Sequence, residues 1–312
     1  MKTRVFIDGS SGTAGLRIHQ RIAARDDIEL LEAPYEKRRD PETRKEAINA
    51  ADVAILCLPD EGSVEAVALV ESQIVTVIDT STAHRTAPGW DYGFPELAGR
   101  REKIRASKRI ANPGCHAGGF IVLVEPLVAA GIVPPELGLT CFSLTGYSGG
   151  GKKMIAEYES GGRDPLLDSP RLYGLGQTHK HLREMIAIPG LQTPPVFCPI
   201  VADYCCGMET AVSLFKKDIR GTAEDIRALY GALYAGPVVH YEADAGENGL
   251  MAAGKMAGRD DMEIAVFGSG DRILLVSRFD NLGKGASGAA VQNMNLVIGA
   301  DETAGLVLGG AK

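Results

Sequence analysis

The sequence has no long apolar run and no dense basic segment, and these absences exclude several classes of protein. Its 312 residues carry a formal net charge of −7, and no apolar stretch reaches the roughly 18 residues that a transmembrane helix needs. The N-terminus lacks the apolar core of a secretory signal peptide. An acidic chain without a basic patch is also poorly suited to bind nucleic acid. We therefore expect no membrane insertion and no nucleic-acid partner.

Cysteine is scarce as well, and its spacing fits neither a disulfide framework nor a zinc site. The chain contains six cysteines, and Cys205 and Cys206 are adjacent rather than separated by two residues as in a C-x-x-C motif. We expect free thiols, no metal and a cytoplasmic location. The apolar content of 45% is ordinary, so a proper core can form. The length indicates two domains, because single cores stop growing near about 250–300 residues.

The N-terminal residues have the pattern of a dinucleotide-binding βαβ unit. Residues 3–8 predict a strand, residues 9–15 form the glycine-rich turn GSSGTAG, and the apolar spacing from Leu16 onward predicts a helix. Glycines allow the backbone to approach a pyrophosphate, whose charge is favoured at a helix N-terminus. The spacing is G-x-x-G-x-x-G rather than the more common G-x-G-x-x-G. The cofactor contacts predicted in this turn are Gly9, Ser10, Ser11, Gly12, Thr13 and Gly15.

The residues after the second predicted strand leave the choice between NAD and NADP open. Glu32 ends that strand, at the position where an acid would hold the ribose hydroxyls of NAD. Lys37, Arg38 and Arg39 follow within a few residues. A cationic cluster suits the 2′-phosphate of NADP better, although the same three residues also fit a solvated loop.

Strands alternate with short helices through the first third of the chain. Further strands are predicted over residues 53–58, 75–79 and 109–111. A helix is predicted over residues 63–71, with Ser63 as its N-cap. The alternation predicts an α/β fold with a doubly wound parallel sheet, in which ligands bind beyond the carboxyl ends of the strands. The segments predicted at those ends are residues 9–15, 59–63 and 79–85, and Cys115.

The most informative stretch is the tight turn Asn112-Pro113-Gly114-Cys115, because it leads into an apolar helix predicted over residues 120–130. The first backbone N–H groups of a helix favour negative charge, and that field stabilises a thiolate relative to a thiol. The alternative is a cysteine that only fills the core, but such a residue does not require glycine and proline around it. We therefore interpret Cys115 as a nucleophile.

Beyond residue 131 the alternation loosens, which predicts a second, α+β domain with a mixed or antiparallel sheet. Its strands are predicted over residues 139–144, 196–202, 210–215, 264–267 and 272–276. A helix over residues 222–234 begins with Thr222 and Asp225, which resemble a capping box. A glycine- and alanine-rich helix over residues 285–298 is expected to return to the first domain.

Two groups of residues in the second domain suggest chemistry. The glycine-rich loop of residues 146–151 ends in Lys152, whose charge can bind an anionic substrate. His179 and His181 would share one face of an extended segment, and a histidine close to a cysteine can act as its acid or base. A metal-binding pair is the alternative, but no third ligand stands nearby in the sequence.

Together these motifs resemble, in order and over almost the whole chain, those of the N-acetyl-gamma-glutamyl-phosphate reductases in the shorter form of that family. The matching segments are residues 9–15, 79–81, 111–115, the glycine-rich loop through Lys152, His179-x-His181, and residues 280–295. The last segment is similar to the long family signature D-N-L-x-K-G-A-x-G-x-A-x-Q-N-x-N. The chain differs from the longer members of the family in having His116, not tyrosine, after the cysteine.

The resemblance implies an NADP(H)-dependent oxidoreductase of arginine biosynthesis, which converts N-acetyl-L-glutamyl 5-phosphate to N-acetyl-L-glutamate 5-semialdehyde and phosphate. Cys115 would attack the acyl phosphate and form a thioester, and His179 or His181 would act as acid and base. The further cofactor contacts expected are Arg38, Ser81, Asn281 and Gln292. The substrate contacts expected are Asn112, Lys152 and Arg85, with Arg163 as a weaker candidate.

The expected domains are a dinucleotide-binding domain of residues 1–116 with 286–312, and a catalytic, substrate-binding and oligomerisation domain of residues 117–285. The resemblance also implies a homo-oligomer, commonly a tetramer, with the sheet of the second domain as the interface. Three other functions stay open: an aspartate-semialdehyde dehydrogenase, a lysine-pathway reductase of a related acyl phosphate, and a nucleotide-binding sensor without catalysis. The signature in residues 280–295 argues against the first, and Cys115 with two histidines argues against the last.

Overall fold

The computed structural model describes residues 2–309, which form two compact units. The first unit comprises residues 2–95, 99–114 and 286–306, and the second comprises residues 96–98, 115–285 and 307–309. Compared with the domain bounds expected from the sequence, Cys115 and His116 belong to the second unit instead of the first. Residue 1 and residues 310–312, which the expected bounds included, lie outside the described residues.

The regular elements follow one another along the whole described chain. The α-helices are α1 (Thr13–Ile22), α2 (Pro41–Ala50), α3 (Asp60–Ala68), α4 (Arg100–Ala106), α5 (Cys115–Ala129), α6 (Gly151–Glu159), α7 (Leu182–Ala187), α8 (Ala223–Leu233) and α9 (Gly288–Ile298). The β-strands are β1 (Thr3–Asp8), β2 (Ile28–Leu31), β3 (Val53–Leu56), β4 (Thr76–Asp79), β5 (Asp91–Tyr92), β6 (Arg109–Ala111), β7 (Thr140–Gly146), β8 (Arg171–Leu172), β9 (Val196–Ala202), β10 (Met208–Phe215), β11 (Val239–Tyr241), β12 (Met262–Ser269) and β13 (Arg272–Phe279). Within residues 2–309, no helix is both long enough and apolar enough to cross a membrane.

The first unit is built on a six-stranded sheet in the order β2-β1-β3-β4-β6-β5, in which every neighbouring pair is parallel. Both faces of the sheet are covered, and β3 and β4 are buried at every position, as parallel strands between helical layers require. One face packs against α1 and α9 through Ile18, Ile55 and Met294. The other face packs against α2 and α3 through Ile48 and Ala66. The predicted doubly wound α/β fold is confirmed.

Two helix starts in this unit show how local chemistry sets a boundary. Asp40 caps α2, because its carboxylate accepts the backbone N–H of Thr43 at 2.9 Å. The helix predicted to begin at Ser63 begins instead at Asp60, so the predicted N-cap is wrong. An acidic residue in the first turn stabilises the helix dipole, and the Ser63 hydroxyl donates to Oδ1 of Asp79 at 2.9 Å.

The second unit contains a seven-stranded sheet in the order β11-β12-β13-β10-β7-β9-β8. Its central strands β12, β13, β10 and β7 are antiparallel, whereas β7 pairs with β9, and β11 with β12, in parallel. Along β10 the side chains alternate between a buried and a more exposed face, as in a strand with one covered face. The predicted mixed sheet is confirmed.

Two helices predicted from the sequence are present with small shifts. Thr222 caps α8 and forms a complete capping box with Asp225. The last helix, predicted over residues 285–298, begins at Gly288 after a wider, π-helical turn over Gly283–Ser287. As expected, α9 belongs to the first unit.

The helix α5 is the central helix of the second unit and is buried along most of its length. It begins at Cys115, five residues before the predicted start, so the cysteine is itself the first helical residue. Gly118 and Gly119 weaken helix propensity but permit close packing. A Cβ at Gly119 would lie 2.5 Å from Oγ1 of Thr210 and 2.9 Å from the ring of Phe279. The glycine therefore lets α5 lie directly against β10 and β13.

A proline inside α5 is matched by a tyrosine from α8. Pro126 has no backbone N–H, so the carbonyl of Val122 lacks the donor that a helix normally supplies. The hydroxyl of Tyr234, which directly follows α8, donates to that carbonyl at 2.5 Å. The tyrosine thus satisfies a buried acceptor that the proline leaves open.

Candidate active site

The first unit contains a cavity of about 800 Å³ at the carboxyl ends of β1, β2 and β3. Five residues predicted to contact the cofactor line it: Gly9, Ser10, Ser11, Gly12 and Arg38. The volume suits a ligand pocket, and the edge of the sheet is the one at which such folds bind dinucleotides.

The conformation of the glycine-rich turn explains why glycine is required there. Gly9 has a φ of +85°, and a Cβ at this position would lie 2.4 Å from the carbonyl oxygen of Cys57. A Cβ at Gly15 would lie 2.4 Å from the carbonyl oxygen of Gly9. The N–H of Gly12 donates to the same carbonyl at 2.9 Å, and α1 begins at Thr13. The turn therefore presents backbone and a helix N-terminus to the cavity, which is the arrangement that binds phosphate.

The cationic cluster after β2 contributes two side chains to this cavity. Arg38 stacks on Tyr35, with its guanidinium carbon 3.7 Å from the ring centroid, and it donates to the carbonyl of Tyr35 at 2.6 Å. Arg39 and Glu32 line the same cavity. The Glu32 side chain is 78% exposed, and its Oε1 lies 3.8 Å from Nε2 of His19. Two guanidinium groups beside a glycine-rich turn fit a dinucleotide that carries an additional phosphate on its ribose.

Ser81 belongs to a buried network around Asp79, at the end of β4. The Asp79 carboxylate is fully buried and accepts the N–H of Ser81 at 2.9 Å and its hydroxyl at 2.7 Å. It also lies 2.6 Å from Nδ1 of His84, whose ring stacks on Trp90 with centroids 4.1 Å apart. These contacts fix the loop after β4. The contact of Ser81 with the cofactor stays a prediction.

Arg85 and Asn112 both hold the turn that precedes the cysteine. Arg85 is buried, and its Nε donates to the carbonyl of Asn112 at 2.9 Å. The Asn112 amide donates to the carbonyl of Ala286 at 2.9 Å and accepts from Asn293 at 3.1 Å. The structure therefore gives these two residues a positioning role at the turn, and the substrate contacts expected of them stay predictions.

Cys115 is the first residue of α5 and is half-buried. Gly285 lies against it, because a Cβ at position 285 would be 3.0 Å from the Cβ of Cys115. The sulfur therefore belongs to a side chain at the N-terminal end of a 15-residue helix, where the backbone N–H groups favour a thiolate.

A cluster of rings surrounds His116, the next residue in the helix. Its ring centroid lies 5.7 Å from that of His181 and 6.2 Å from that of His179. The rings of His179 and His181 are 4.8 Å apart. The other rings at His116 belong to Tyr173, at 6.0 Å, and Phe197, at 5.4 Å. The structure thus brings both predicted histidines to the residue that follows the predicted nucleophile.

Burial keeps two of these histidines neutral. Desolvation lowers the pKa of His116 to about 3, and His179 contributes to the same effect. Desolvation also lowers the pKa of His179 below its usual value, with a smaller contribution from Lys180. Neutral imidazoles can accept a proton, which is the property that an acid–base partner of a cysteine needs.

Hydrogen bonds from the Gln177 side chain hold the segment of Tyr173, His179 and His181 against β9. Gln177 has a positive φ of +53°. Its amide nitrogen donates to the carbonyl of Phe197 at 2.8 Å, and its amide oxygen accepts the N–H of Phe197 at 2.8 Å. The N–H of Tyr173 also donates to the carbonyl of Pro199 at 3.0 Å. The segment is therefore fastened to β9 at two points.

The side chain of Asn281 forms hydrogen bonds that hold the glycine-rich loop before α6. The Asn281 amide donates to the hydroxyl of Ser148 at 2.9 Å and accepts the N–H of Gly207 at 3.0 Å. Lys152, in the first turn of α6, is exposed. Asn281 therefore shapes the loop that carries the predicted anion-binding lysine, and its contact with the cofactor stays a prediction.

Two other candidates have their contacts elsewhere. The Gln292 amide, on α9, donates to Oε1 of Glu302 at 2.7 Å. Arg163 forms ion pairs with Asp203 at 2.6 Å and with Asp168 at 2.5 Å. The cofactor contact expected of Gln292 and the substrate contact expected of Arg163 stay predictions.

Sequence reasoning missed Tyr173, whose hydroxyl lies 2.6 Å from Nε2 of His116. The two residues are 57 positions apart, and an isolated tyrosine in a loop belongs to no recognisable motif. The only sequence feature that pointed to this pair was the position of His116, directly after the predicted nucleophile.

Two family descriptions match the chain. Residues 5–107 match the semialdehyde dehydrogenase NAD binding domain, and residues 115–281 match the semialdehyde dehydrogenase dimerisation domain. The first match identifies the first unit as the NAD(P)-binding domain of an oxidoreductase.

Solved structures share the fold. Aspartate semialdehyde dehydrogenase II from Vibrio cholerae, complexed with ASA, is similar with a TM-score of 0.71 and 18% identity, over 96% of this chain and 98% of that chain. The aspartate semialdehyde dehydrogenase from Francisella tularensis is similar with a TM-score of 0.72 and 14% identity, over 95% of this chain and 100% of that one. At these identities the similarity concerns the fold alone.

Curated relatives are considerably more similar in sequence. N-acetyl-gamma-glutamyl-phosphate reductase 2 from Nostoc sp. is 43% identical over 98% of this chain and 99% of its own length. The N-acetyl-gamma-glutamyl-phosphate reductases of Brucella ovis and Rhizobium etli are 44% and 45% identical, each over 96% of this chain and at least 99% of their own lengths. With such identity over nearly the full length of both partners, the chain belongs to the N-acetyl-gamma-glutamyl-phosphate reductase family.

Proposed function

We propose that this chain catalyses the NADPH-dependent reductive dephosphorylation of N-acetyl-L-glutamyl 5-phosphate, which gives N-acetyl-L-glutamate 5-semialdehyde and phosphate in arginine biosynthesis. The observation that carries the proposal is the position of Cys115 at the start of α5, next to a cluster of three histidine rings. The chain is an oxidoreductase that uses NADP(H).

Cys115 is the nucleophile of the proposed reaction. Its thiolate attacks the acyl carbon, a C–S bond forms, the C–O bond to phosphate breaks, and phosphate leaves with the electron pair. The product of this step is a thioester on Cys115. Backbone N–H groups in the first turn of α5 stabilise the thiolate and supply donors for the oxyanion that forms during the attack.

The residues that would hold the cofactor are Gly9, Ser10, Ser11 and Gly12, which line the cavity, with Arg38 at the ribose phosphate. Thr13 and Gly15, in the first turn of α1, complete the proposed set. When bound, the reduced nicotinamide supplies the hydride that converts the thioester to a thiohemiacetal. Ser81, Asn281 and Gln292 are further cofactor contacts in this proposal; their side chains also bond to Asp79, Ser148 and Glu302, respectively.

A histidine manages the proton of the last step. The neutral ring of His179 or His181 takes the proton of the Cys115 thiol as the thiolate forms, gives that proton to the developing alkoxide of the thiohemiacetal, and takes it back as the C–S bond breaks. The aldehyde then leaves, and Cys115 returns to its thiolate form. The lowered pKa of His179 supports a neutral ring at the start of the cycle. The choice between the two histidines rests on comparing His179→Gln with His181→Gln.

Lys152 provides the positive charge for the anionic groups of the substrate, because it is exposed on the first turn of α6 beside the glycine-rich loop. Arg85 and Asn112 act by fixing the Asn112-Pro113-Gly114 turn, so that the cysteine after it has a defined position.

The protein is a homo-oligomer in this proposal, assembled through the outward face of the second unit's sheet, with a tetramer as the expected state. Phe142, Val196 and Leu274 on that face are 50%, 51% and 37% exposed, and an apolar sheet face of this kind is typical of an interface between subunits. None of the six cysteines, all of which lie within the described residues, forms a disulfide, which supports a reducing cytoplasm as the location.

The reverse reaction tests the proposed function. Purified protein with N-acetyl-L-glutamate 5-semialdehyde, phosphate and NADP should form NADPH, as measured by absorbance, and omission of phosphate should abolish the signal. We expect Cys115→Ser to lower the rate by at least about 10³-fold while NADP still binds. An inactive wild-type protein would contradict the proposed function, and an active Cys115→Ser variant would contradict the covalent step.

A second substrate tests the specificity. L-aspartate 4-semialdehyde should give a kcat/KM at least about 100-fold lower than the N-acetylglutamate semialdehyde. An equal or higher value with the aspartate compound would assign the chain to the other semialdehyde dehydrogenase activity.

A further inference from the structure

Tyr173 lies at the end of a hydrogen-bonded chain that begins in the interior of the second unit's sheet. The hydroxyls of Thr210 and Ser143 are 2.9 Å apart. Oγ of Ser143 is 2.7 Å from Nδ1 of His116, and Nε2 of the same ring is 2.6 Å from the hydroxyl of Tyr173. Both ring nitrogens of the residue that follows Cys115 are therefore engaged, one toward the sheet and one toward the tyrosine.

The protonation state of His116 determines which groups donate and which accept along this series of hydrogen bonds. His116 is 3% exposed, and burial lowers its pKa to about 3, so its ring is neutral near pH 7 and has one donor and one acceptor nitrogen. When Ser143 donates to Nδ1, Nε2–H donates to the oxygen of Tyr173, and the tyrosine O–H is available to another acceptor. In the other tautomer the ring accepts the tyrosine proton. The two states differ only in the positions of protons.

Cys115, which precedes His116 in the sequence, is a candidate acceptor for the O–H of Tyr173. The Tyr173 hydroxyl lies 2.6 Å from Nε2 of His116, the residue that follows Cys115. Burial raises the pKa of Tyr173, and the negative charge of Cys115 raises it further. The phenol is therefore protonated at neutral pH and can serve as a donor. The other titratable groups around Tyr173 and Cys115 are His179, His181 and Lys180. Lys284, which precedes Gly285 in the sequence, is also close and forms an ion pair with Glu96.

We propose that Tyr173 donates a hydrogen bond to the negative charge at Cys115, and that His116 is the positioning residue that makes its hydroxyl available. The charge is on the sulfur before the attack and on the thiohemiacetal oxygen during reduction. A neutral phenol stabilises both without giving up its proton, so proton transfer stays with His179 or His181. The effect on turnover rests on the proposed function, whereas the effect on the Cys115 thiolate does not.

The test compares Tyr173→Phe with the wild-type protein in two measurements. The first is the rate of Cys115 alkylation by iodoacetamide between about pH 5 and pH 10, followed by mass spectrometry of the Cys115 peptide. Removal of a donor destabilises the thiolate, so the midpoint should move to higher pH by about one unit. The second is the phosphate-dependent oxidation of the semialdehyde, in which kcat should fall about 10- to 100-fold with KM nearly unchanged.

Two further variants keep the result interpretable. Tyr241→Phe, at a half-buried tyrosine on β11, is the matched control and should leave both measurements at wild-type values. His116→Gln should move the alkylation midpoint in the same direction as Tyr173→Phe, because the hydroxyl loses its orientation. A wild-type midpoint in both Tyr173→Phe and His116→Gln would overturn the proposal. A shifted midpoint in a protein that does not turn over the semialdehyde would instead retain the role of Tyr173 and reject the proposed substrate.

Discussion

At Gly9 the chain leaves β1 with a φ of +85°, and the carbonyl of Cys57 occupies the space that a side chain would need. Gly89 has nearly the same conformation, with a φ of +79°, but among the described residues beyond its chain neighbours none has an atom within 4 Å of its Cβ position. Both positions disfavour other residues through backbone conformation. Only Gly9 adds a steric conflict, at a turn that lines the dinucleotide cavity.

This pair gives a prediction for the cofactor site. Gly9→Ala must displace either the turn or the segment after β3, so NADPH binding, measured by fluorescence titration, should weaken at least about tenfold. Gly89→Ala introduces a similar backbone strain of about 1–2 kcal/mol but should leave the dissociation constant within about twofold of wild type. Equal dissociation constants in wild type and Gly9→Ala would contradict the role of the turn in binding.

The residues around Cys115 show which parts of a site a sequence can reveal. The sequence singled out Cys115 as a nucleophile because proline and glycine beside a cysteine serve no purpose in an ordinary core, and that role stays a prediction. His179 and His181 could be predicted from their spacing, and the structure brings their rings to His116. The position of Tyr173 beside His116 could not be predicted. It depends on the Gln177 side chain, which binds the loop to β9, and a contact of that kind leaves no pattern in the sequence.

Among the elements, α5 combines unfavourable residues with a position in the core. Pro126 leaves the carbonyl of Val122 without a helical donor, and the hydroxyl of Tyr234 takes that place. The two residues are therefore coupled through one oxygen atom. Such coupling should be visible as non-additivity of their effects on stability.

A double-mutant cycle measures this coupling. Tyr234→Phe leaves a buried carbonyl unsatisfied and should lower the free energy of unfolding by about 1–3 kcal/mol. In a Pro126→Ala background the new backbone N–H satisfies Val122, so the same tyrosine substitution should lower it by at least about 1 kcal/mol less. Urea unfolding of the four proteins provides the measurement. Additive effects would show that the proline and the tyrosine act independently.

The elements also differ in how well the sequence predicts them. The strand β9 was predicted with its actual bounds, because an apolar run of that length between proline- and glycine-containing segments has few alternatives. The start of α5 was predicted five residues too late, because Gly118 and Gly119 lower helix propensity, whereas the packing of Gly119 on Thr210 outweighs it. The short strands β5, β8 and β11 were missed, because two or three residues carry no periodicity. The strand β6 is as short and was predicted from its place directly before the cysteine turn.

For the molecule as a whole, the chemistry is divided between two units along the chain. The residues of the dinucleotide cavity belong to the first unit, the cysteine and its histidines belong to the second, and the division lies between Gly114 and Cys115. The second unit also has a sheet with one face that α5 covers and one on which apolar side chains are exposed. A face of this kind predicts self-association, because exposed apolar surface is removed from water when two copies meet.

The oligomeric state should therefore depend on Phe142, in the middle strands of that sheet. Phe142 pairs across the sheet with Ala211 on β10 and Cys198 on β9, so an aspartate there places a charge among apolar neighbours of the proposed interface. We expect Phe142→Asp to shift the mass measured by light scattering toward the 33.0 kDa of one chain, with the circular dichroism of the folded protein retained. Ile74→Asp, at an apolar residue of the first unit that is 62% exposed, should keep the wild-type mass. If Phe142→Asp retains the wild-type mass as well, the subunits associate through another surface.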